Sequence, residues 1–347
     1  MKILVTGGLG FIGSHTSLDL LEKGYSLLII DSLINSSPVV FQKLENFRSI
    51  NKISSNIEFL KGDIRDEIFL NNLFRNQRNK NENVVAVIHF AGLKAVGGST
   101  KNPLKYWDFN LKGTINLLNV MEKYGCRNLV FSSSATVYGK RDDKVLIKED
   151  AEIKPINPYG NTKACIELIL DDLSKIEKNR WNIISLRYFN PIGAHSSRLL
   201  GENPVDNPNN LMPIINNVAA RNIKELEIFG SDWETLDGTC VRDYIHVMDL
   251  ADGHTLALNN ILNSEPKNIQ INLGTGKGTS VLELVKTFQK VNNVKVPYKF
   301  SNRREGDVAI SVADNKLAKS FLKWLPKRNI EMMCIDSWEC FKKINRL

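Results

Sequence analysis

A tyrosine and a lysine stand four residues apart in the segment NPYGNTK, residues 157–163. Residues i and i+4 of a helix share one face, so Lys163 can stand beside the ring of Tyr159 on a helix that starts near Pro158. A tyrosine with a pKa near 10 is a poor base at neutral pH, but a neighbouring ammonium favours its phenolate form. Tyr159 could then take a proton from a substrate hydroxyl.

A serine-rich segment, SSSATVYG at residues 132–139, precedes this pair at the end of a predicted strand. Ser134 could hydrogen-bond the same substrate hydroxyl and relay its proton, although taken alone it could equally be a turn serine. The Y-x-x-x-K pattern is loose, and roughly one chance match is expected in a chain of this size. It occurs once here, after a predicted strand, which favours a catalytic set of Ser134, Tyr159 and Lys163.

A glycine-rich segment, TGGLGFIG at residues 6–13, follows the first predicted strand and opens the first predicted helix. Gly8, Gly10 and Gly13 fit G-x-G-x-x-G, and Gly7 with Gly10 and Gly13 fits the related G-x-x-G-x-x-G. Such glycines allow a tight turn and let a pyrophosphate approach the backbone at a helix N-terminus. The segment therefore predicts a dinucleotide site.

Two acidic residues end the next two predicted strands. A carboxylate at Asp31 would accept hydrogen bonds from the adenosine ribose and repel a 2′-phosphate, which favours NAD over NADP. Asp63 could reach the adenine, or could simply cap a helix. With NAD⁺ bound, Tyr159 would take the hydroxyl proton while hydride leaves the same carbon, and the positive nicotinamide would lower the tyrosine pKa further.

Short apolar runs alternate with amphipathic stretches through the N-terminal half. Several runs are apolar at successive positions, which is typical of parallel strands covered on both faces. The rhythm predicts an α/β fold, a Rossmann-type doubly wound parallel sheet. The predicted strands cover residues 2–7, 26–31, 57–63, 84–92, 128–134 and 182–190, with predicted helices at 12–24 and 110–125.

The rhythm loosens beyond Pro191, where residues 191–213 contain four prolines and many asparagines and indicate a long functional loop. We expect an NAD-binding domain over residues 1–190 and a smaller mixed α/β substrate lobe over 191–347. A return strand to the main sheet is expected near 269–274. The polar segment at 76–83 is expected to be a solvated connector.

Composition narrows the class of protein. The 347 residues are 42% hydrophobic and 24% charged, as in an ordinary soluble globular chain, and the net charge of +8 comes from scattered basic residues. We therefore expect no nucleic-acid or membrane partner. Five dispersed cysteines show no metal-binding spacing and suggest reduced thiols, and the N-terminus lacks a signal-peptide pattern. We expect a cytoplasmic enzyme without a bound metal.

Longer blocks of sequence carry a family resemblance. They are TGGLGFIGSH, HFAGLKAVGGS, FSSSATVYG, NPYGNTK, LRYFNPIGAH, NNLMP, DGTCVRDYIHVMDLADGH and RREGD. In this order they resemble the UDP-glucose (UDP-galactose) 4-epimerase family of the extended short-chain dehydrogenases/reductases. The likeness runs from Met1 to about Asp314.

The resemblance implies the ligands of two molecules. Around NAD it places, besides the glycines, Phe11, Ile12, Asp31, Ser32, Leu33, Ile34, Asn35, Ser36, Asp63, Ile64, Phe90, Ala91, Gly92, Leu93, Lys94, Asn110, Tyr159, Lys163 and Phe189. Around the UDP-sugar it places Lys94, Ser134, Tyr159, Asn190, Asn210, Leu211, Glu227, Ile228, Phe229, Arg242, Arg304, Asp307 and Ser311. The two arginines suit a diphosphate, because a guanidinium offers forked donors.

The implied reaction is a redox inversion at C4 of the sugar. Tyr159 deprotonates the C4 hydroxyl, hydride passes to NAD⁺, the 4-keto sugar swings about its diphosphate link, and hydride returns to the opposite face. A homodimer is also implied. Family members restricted to hexoses resemble one another in a tyrosine at the position of Ser311, so the small serine predicts that UDP-GlcNAc and UDP-GalNAc are also accepted. The chain departs from the pattern at Gly98, where many members carry glutamate, and at Phe109, in place of an asparagine.

Three other functions are weighed. Another NAD-dependent nucleotide-sugar epimerase would use the same residues. A 4,6-dehydratase needs an acid and a base after the threonine near Ser134, whereas this chain has Ala135, Thr136 and Val137 there. A catalytically silent NAD-binding regulator could lose Tyr159 or Lys163, yet both are present. The sequence favours the 4-epimerase, with a role in galactose metabolism.

Overall fold

Parallel strands separated by helices build the N-terminal part of the molecule, as the βα rhythm predicts. The computed structural model describes residues 1–141, 145–176, 180–203, 208, 210–304 and 306–346. Its strands, in chain order, are β1 Lys2–Thr6, β2 Leu27–Asp31, β3 Ile57–Lys61, β4 Val84–His89, β5 Asn128–Ser134, β6 Asn182–Tyr188, β7 Asn190–Ile192, β8 Leu226–Phe229, β9 Val241–His246, β10 Asn268–Leu273, β11 Gly278–Ser280, β12 Tyr298–Ser301 and β13 Ile310–Ser311.

Helices connect these strands. They are α1 Phe11–Glu22, α2 Val39–Ile50, α3 Glu67–Asn79, α4 Val96–Lys101, α5 Pro103–Tyr106, α6 Gly113–Lys123, α7 Pro158–Ser174, α8 Leu211–Ala219, α9 Val247–Leu262, α10 Val281–Asn292 and α11 Ile330–Asn345. Two π-helical segments, Trp107–Lys112 and Ala318–Leu322, and a 3₁₀ turn, Ala135–Tyr138, complete the helical structure of the described residues.

The main sheet has the strand order β10-β6-β5-β4-β1-β2-β3, seven strands among the described residues. β1 pairs in parallel with β2 and with β4, so that Val5 lies opposite both Ile29 and Ile88. All residues of β1, β2 and β6 are buried, which explains the apolar runs 3–5 of β1 and 27–30 of β2. The order reverses between β1 and β4, and ligands of doubly wound sheets bind beyond the carboxyl ends at such a switch point. The predicted Rossmann-type fold class is confirmed.

The chain divides into two compact units. Unit 1 comprises Met1–Gly139, Ile153–Arg187 and Ala251–Ile271. Unit 2 comprises Lys140–Glu152, Tyr188–Leu250 and Asn272–Leu347. Each has its own apolar core: Leu28, Val87 and Phe131 are fully buried in unit 1, and Ile215 and Phe288 in unit 2. The chain enters each unit more than once, and β10 joins the main sheet in the place of the return strand expected near 269–274.

Local predictions are mostly confirmed, with one correction. β5 spans the predicted residues, and β1, β3 and β4 end one to three residues earlier than predicted. The prediction that residues 76–83 form a solvated connector is wrong for the first part of the segment, because α3 continues through Asn79 and buries Gln77. Within the predicted loop 191–213, β7 ends at Ile192 and α8 begins at Leu211, and positions 204–207 and 209 lie outside the described residues. No helix in the described part of the chain is long and apolar enough to cross a membrane.

Candidate active site

Tyr159 and Lys163 lie one turn apart at the start of α7. Pro158 takes the first helical position, where its missing N–H is not needed, and the side chain of Asn157 caps the helix by accepting a hydrogen bond from the Gly160 amide at 2.8 Å. Tyr159 is 8% exposed and Lys163 5% exposed. The helix predicted from the tyrosine–lysine spacing is therefore present, and it buries both side chains.

Ser134 is the last residue of β5 and is hydrogen-bonded to the side chain of Tyr159. The Ser134 hydroxyl oxygen also accepts hydrogen bonds from the Thr136 amide at 3.2 Å and from the Thr136 hydroxyl at 3.0 Å. With its oxygen occupied as an acceptor, Ser134 has its own proton to donate toward the phenol. Thr136 was missed at the sequence level, although a threonine two residues after a serine is a common local hydrogen-bond partner.

The Lys163 ammonium is anchored beside the tyrosine ring. Its Nζ donates to the carbonyl oxygen of Ser132 at 2.6 Å and lies 6.0 Å from the centroid of the Tyr159 ring. The same Nζ lies 4.8 Å from the ring centroid of Phe131. The end of β5 and the first turns of α7 thus bring together the three residues predicted to be catalytic.

Burial dominates the titration of this set. It raises the pKa of Tyr159 to about 12, although the hydrogen bond from Ser134 opposes it. Burial also lowers the pKa of Lys163 to about 8, although the charge of Glu167 opposes it. The sequence predicts a lowered tyrosine pKa through Lys163 and NAD⁺ together. In the protein alone the tyrosine pKa is raised instead, because desolvation of the phenolate dominates.

The glycine-rich segment forms a close turn between β1 and α1. Gly7 has φ +66°, and a Cβ there would lie 2.7 Å from the backbone nitrogen of Ala91. A Cβ on Gly13 would lie 2.3 Å from the Gly7 carbonyl oxygen. Gly10 precedes α1 and has no side chain with which to cap it, so amides of the first turn remain for a ligand. This backbone fits an anionic pyrophosphate.

Asp31 ends β2 beside this turn and is buried. Its Oδ2 accepts from the Leu9 amide at 3.0 Å, and its Oδ1 accepts from the Leu33 amide at 2.9 Å and the Ser36 hydroxyl at 2.7 Å. A carboxylate has about four acceptor positions, so three internal bonds leave room for a ribose hydroxyl. The predicted neighbours Ser32, Ile34 and Asn35 follow on the same segment, the last two exposed.

Asp63 belongs to an ion-pair group beyond β3. The guanidinium of Arg65 binds the carboxylates of Asp63 at 2.7 Å and Asp108 at 2.5 Å, and it lies 3.5 Å above the ring of Phe109. Although burial opposes it, these bonds lower the pKa of Asp63. Phe109, a departure from the family pattern, therefore supports an arginine that the sequence analysis missed. Ile64, between the two charged residues, is buried.

The segment after β4 packs against the glycine turn. The Phe90 amide donates to the Thr6 carbonyl at 3.0 Å. Asn110 clamps the segment: its Oδ1 accepts from the Leu93 amide at 2.7 Å, and its Nδ2 donates to the Leu93 carbonyl and to the Thr162 hydroxyl, both at 3.0 Å. These bonds make Asn110 a support of the segment. Other predicted cofactor neighbours here are the half-buried Phe11, Ile12, Ala91 and Gly92 and the exposed Lys94.

The predicted diphosphate ligands lie in unit 2. Asp307 pairs with Arg304 at 2.9 Å and with Arg242 at 3.8 Å. Ser311 lies beside Arg242, since the two residues are register partners in the parallel pair of β13 and β9. The guanidinium of Arg304 stands 5.5 Å from the ring centroid of Phe229. The structure thus collects five predicted substrate residues in one neighbourhood.

The other predicted substrate residues of unit 2 open or flank its elements. Asn190 opens β7, and its Nδ2 donates to the Asp243 carbonyl at 3.3 Å. Asn210 is exposed and precedes α8, which begins at Leu211. Glu227 is exposed on β8. Ile228, on the same strand, is buried, and so is Phe189, the predicted cofactor neighbour that lies in this unit between β6 and β7.

Comparison with known proteins identifies the family. A family model described as GDP-mannose 4,6 dehydratase matches residues 4–337. The UDP-glucose 4-epimerase of Bacillus subtilis (strain 168) is 49% identical over 338 residues, covering 97% of this chain and 96% of the relative. A bifunctional UDP-glucose 4-epimerase and UDP-xylose 4-epimerase of Arabidopsis thaliana is 49% identical over 345 residues, covering 99% and 95%.

A solved structure agrees with these relatives. The UDP-glucose 4-epimerase of Stenotrophomonas maltophila, crystallised with bound NAD and formylated UDP-arabinopyranose, superposes with a TM-score of 0.93 at 43% identity and covers 100% of this chain and 99% of its own. Near-complete coverage at this identity, together with the serine–tyrosine–lysine set, places the sequence within one family. The chain belongs to the UDP-glucose 4-epimerase family of extended short-chain dehydrogenases/reductases.

Proposed function

We propose that this chain is an NAD-dependent UDP-glucose 4-epimerase, an isomerase that interconverts UDP-galactose and UDP-glucose through a 4-keto sugar. The observation that carries the proposal is the buried contact of Ser134 with Tyr159 beside the Lys163 ammonium, at the carboxyl edge of a doubly wound sheet. Relatives named for this reaction share about half of the sequence over nearly its whole length.

The residues present fit NAD. The backbone of the glycine turn leaves space that a Cβ at Gly7 or Gly13 would fill, and the Asp31 carboxylate stands where a ribose hydroxyl can donate to it. Asp63 and the segment from Phe90 to Lys94 would complete its surroundings. When bound, NAD supplies a reversible hydride acceptor for the oxidised carbon.

The chain's own residues move the proton. Tyr159 takes the proton of the C4 hydroxyl, and Ser134, hydrogen-bonded to the phenol, bridges the hydroxyl and the phenol oxygen. Lys163, held by the Ser132 carbonyl, stabilises with its positive charge the phenolate form of Tyr159 that accepts this proton. Return of the same proton to the sugar oxygen completes the reaction and regenerates the phenolate in each cycle.

Inversion requires that the nucleotide be held firmly and the sugar loosely. Arg242 and Arg304 are the groups in unit 2 suited to bind the diphosphate. In the protein alone both face the carboxylate of Asp307, which we expect to release at least one guanidinium when the diphosphate binds. A sugar anchored through its diphosphate can turn about that link and present its other face.

The alternatives are less well supported. Elimination of water by a 4,6-dehydratase needs a carboxylic acid near Ser134, and Ala135, Thr136 and Val137 follow it in the 3₁₀ turn. The absence of a carboxylic acid at these three positions argues against dehydration, although the matching family model carries the description GDP-mannose 4,6 dehydratase. A silent NAD-binding regulator would not need the buried Tyr159–Lys163 pair.

We also propose a wider substrate range and a homodimer. Ser311, half-buried beside Arg242, leaves volume that a tyrosine would fill, which favours acceptance of the N-acetylated pair UDP-GlcNAc and UDP-GalNAc. A homodimer is supported by apolar side chains exposed on unit 1, Leu104 at 81% on α5 and Leu168 at 66% on α7. Five free thiols favour a reducing, cytoplasmic location.

The test is an assay of the purified protein with UDP-galactose, with and without added NAD. We expect UDP-glucose to form in wild type and the rate to fall by about three orders of magnitude in Tyr159→Phe, which keeps the ring and removes the proton acceptor. Asp172→Asn, a change at an 82% exposed side chain of the same helix, is the matched control. No interconversion at saturating NAD would reject the function.

A further inference from the structure

A buried ion pair lies behind the catalytic set and has no part in the reaction described above. Arg187 on β6 and Glu167 on α7 are 5% and 8% exposed in their side chains. The guanidinium donates Nε to Glu167 Oε1 at 3.0 Å and Nη2 to Oε2 at 2.6 Å. The sequence offered one signal for this pair, since Glu167 is four residues after Lys163 on the same helix.

The pair is bonded to both sides of Ser134. The hydroxyl of Ser133, the preceding residue, donates to Glu167 Oε1. Arg187 Nη1 donates to the hydroxyl of Tyr138, the last residue of the 3₁₀ turn that follows Ser134, at 3.0 Å. The two charged residues therefore join the end of β5, the turn after it and the helix that carries the other catalytic residues.

An ion pair this deeply buried is not needed for packing. Two desolvated charges recover little net stability, and apolar side chains of similar volume commonly serve a core as well or better. A specific electrostatic or positional task is therefore a better reason for a carboxylate at position 167 than stability alone.

We propose that Glu167 is a positioning residue of the epimerase reaction, which holds Ser134 against α7 and keeps the Lys163 ammonium charged. This inference rests on the proposed function, because it concerns the same catalytic site. Glu167 does not touch the reacting atoms. It acts through Ser133 on the strand end and through its charge on the lysine one turn earlier.

The groups that face Lys163 support this assignment. From its own helix these are Tyr159 and Glu167, and from β4 the buried His89, whose pKa falls to about 3 through burial and the charge of Lys163, so that it is neutral. β5 contributes the Ser132 carbonyl and the Phe131 ring. Arg187 of β6 contacts Glu167, so its charge is paired with that carboxylate. Burial lowers the pKa of Lys163 to about 8, and Glu167 opposes that change.

Four variants separate charge from folding. Glu167→Gln removes the charge but leaves Arg187 without its carboxylate, which can destabilise the fold. The double variant Glu167→Gln/Arg187→Met removes both charges and avoids that imbalance. Glu167→Asp keeps the charge on a shorter side chain, and Asp172→Asn removes a negative charge from the exposed surface of the same helix.

The first measurement is the epimerase rate against pH. The reaction needs the charged lysine, so its alkaline limb follows the deprotonation of Lys163. We expect that limb to move down by about one pH unit in Glu167→Gln. The rate at pH 9, taken as a fraction of each protein's own optimum, should then be about tenfold lower in the variant than in wild type. The shift should be smaller in the double variant, where the repulsion from Arg187 is also lost. Glu167→Asp and Asp172→Asn should keep the limb of wild type.

The second measurement does not depend on activity. The protein is labelled with ¹³Cε-lysine, and the Lys163 signal is assigned by its loss in Lys163→Met. In wild type the pH midpoint of the Lys163 signal should lie well below those of the other lysines. In Glu167→Gln and in Glu167→Gln/Arg187→Met the midpoint should lie lower still. An inactive wild type would reject the proposed function, but the NMR titration would still decide the role of Glu167. A folded double variant with the wild-type Lys163 titration would overturn the proposal, and so would an equal shift in Asp172→Asn.

Discussion

Keeping Lys163 charged in a buried site should destabilise the folded protein. Its pKa falls from 10.5 to about 8 on folding because burial disfavours the ammonium. A folded-state pKa below the unfolded value means that stability is lost as the pH falls from the unfolded pKa through the folded one. At pH 7 both states bind the proton, and the two values give a penalty of about 3 kcal/mol.

Replacing Lys163 with methionine should therefore raise stability while it abolishes catalysis. Methionine has a similar unbranched shape and no charge to desolvate. The gain should be about 3 kcal/mol at pH 7 and should shrink by about 2 kcal/mol between pH 7 and pH 10, where the wild-type lysine becomes neutral in the folded state. Loss of the hydrogen bond to the Ser132 carbonyl lowers the gain by the same amount at every pH where the lysine is charged.

The assay is urea unfolding of wild type and Lys163→Met at four pH values, with the cofactor content of the two proteins matched. The informative quantity is the change with pH of the difference in unfolding free energy, because contacts that do not titrate cancel from it. A difference that stays flat from pH 7 to pH 10, or that grows with pH, would refute the reasoning. Lys175→Met, at an exposed lysine directly after the end of the same helix, supplies the control.

Three further outcomes are expected. Asp31→Asn keeps an acceptor oxygen for the Leu9 amide but removes the charge, so it should reduce the preference for NAD over NADP by about tenfold. The preference is measured as the ratio of the two dissociation constants in the apo-protein, and an unchanged ratio would contradict the role of Asp31. Gly13→Ala should lower NAD content and melting temperature, because its Cβ would lie 2.3 Å from the Gly7 carbonyl, whereas Gly97→Ala, with nothing within 4 Å of the added carbon, should leave both unchanged. Ser311→Tyr should reduce turnover of UDP-GalNAc far more than turnover of UDP-galactose, and an equal loss on both substrates, or retained acetamido activity, would exclude the gate.

Features set by local sequence could be predicted. The apolar runs of β1 and β2 follow from burial on both faces, and the glycine turn follows from backbone contacts that leave no space for a side chain. The spacing of Tyr159 and Lys163 follows from helix periodicity alone. Each of these depends on residues adjacent in the chain or one helical turn apart, so the sequence pattern is sufficient.

Features that depend on residues distant in the chain could not be predicted from the sequence. Arg187 lies in the buried strand β6, and its partner Glu167 is 20 residues away on a helix. Arg65 binds both Asp63 and Asp108, and Asp108 follows Arg65 by 43 residues. The segment at 76–83 is polar and therefore looks solvated, yet α3 extends into it and buries the side chain of Gln77. Only the folded chain shows which polar side chains are enclosed, and so which charges change the chemistry of the site.

The opposite shifts of the catalytic pair indicate how the site is activated. In the protein alone, burial raises the pKa of Tyr159 and lowers the pKa of Lys163. It therefore disfavours an isolated charge of either sign, the phenolate as well as the ammonium. A phenolate beside an ammonium carries no net charge, and a buried environment disfavours such a pair less than it disfavours an unpaired ion. Ionisation of the phenol to the phenolate base thus becomes favourable only when the lysine is charged and further positive charge is near the ring. Because Glu167 supports the first condition and NAD⁺ binding would supply the second, Tyr159 should remain protonated until the cofactor is in place, and should then lose its proton to solvent and accept one from the bound hydroxyl.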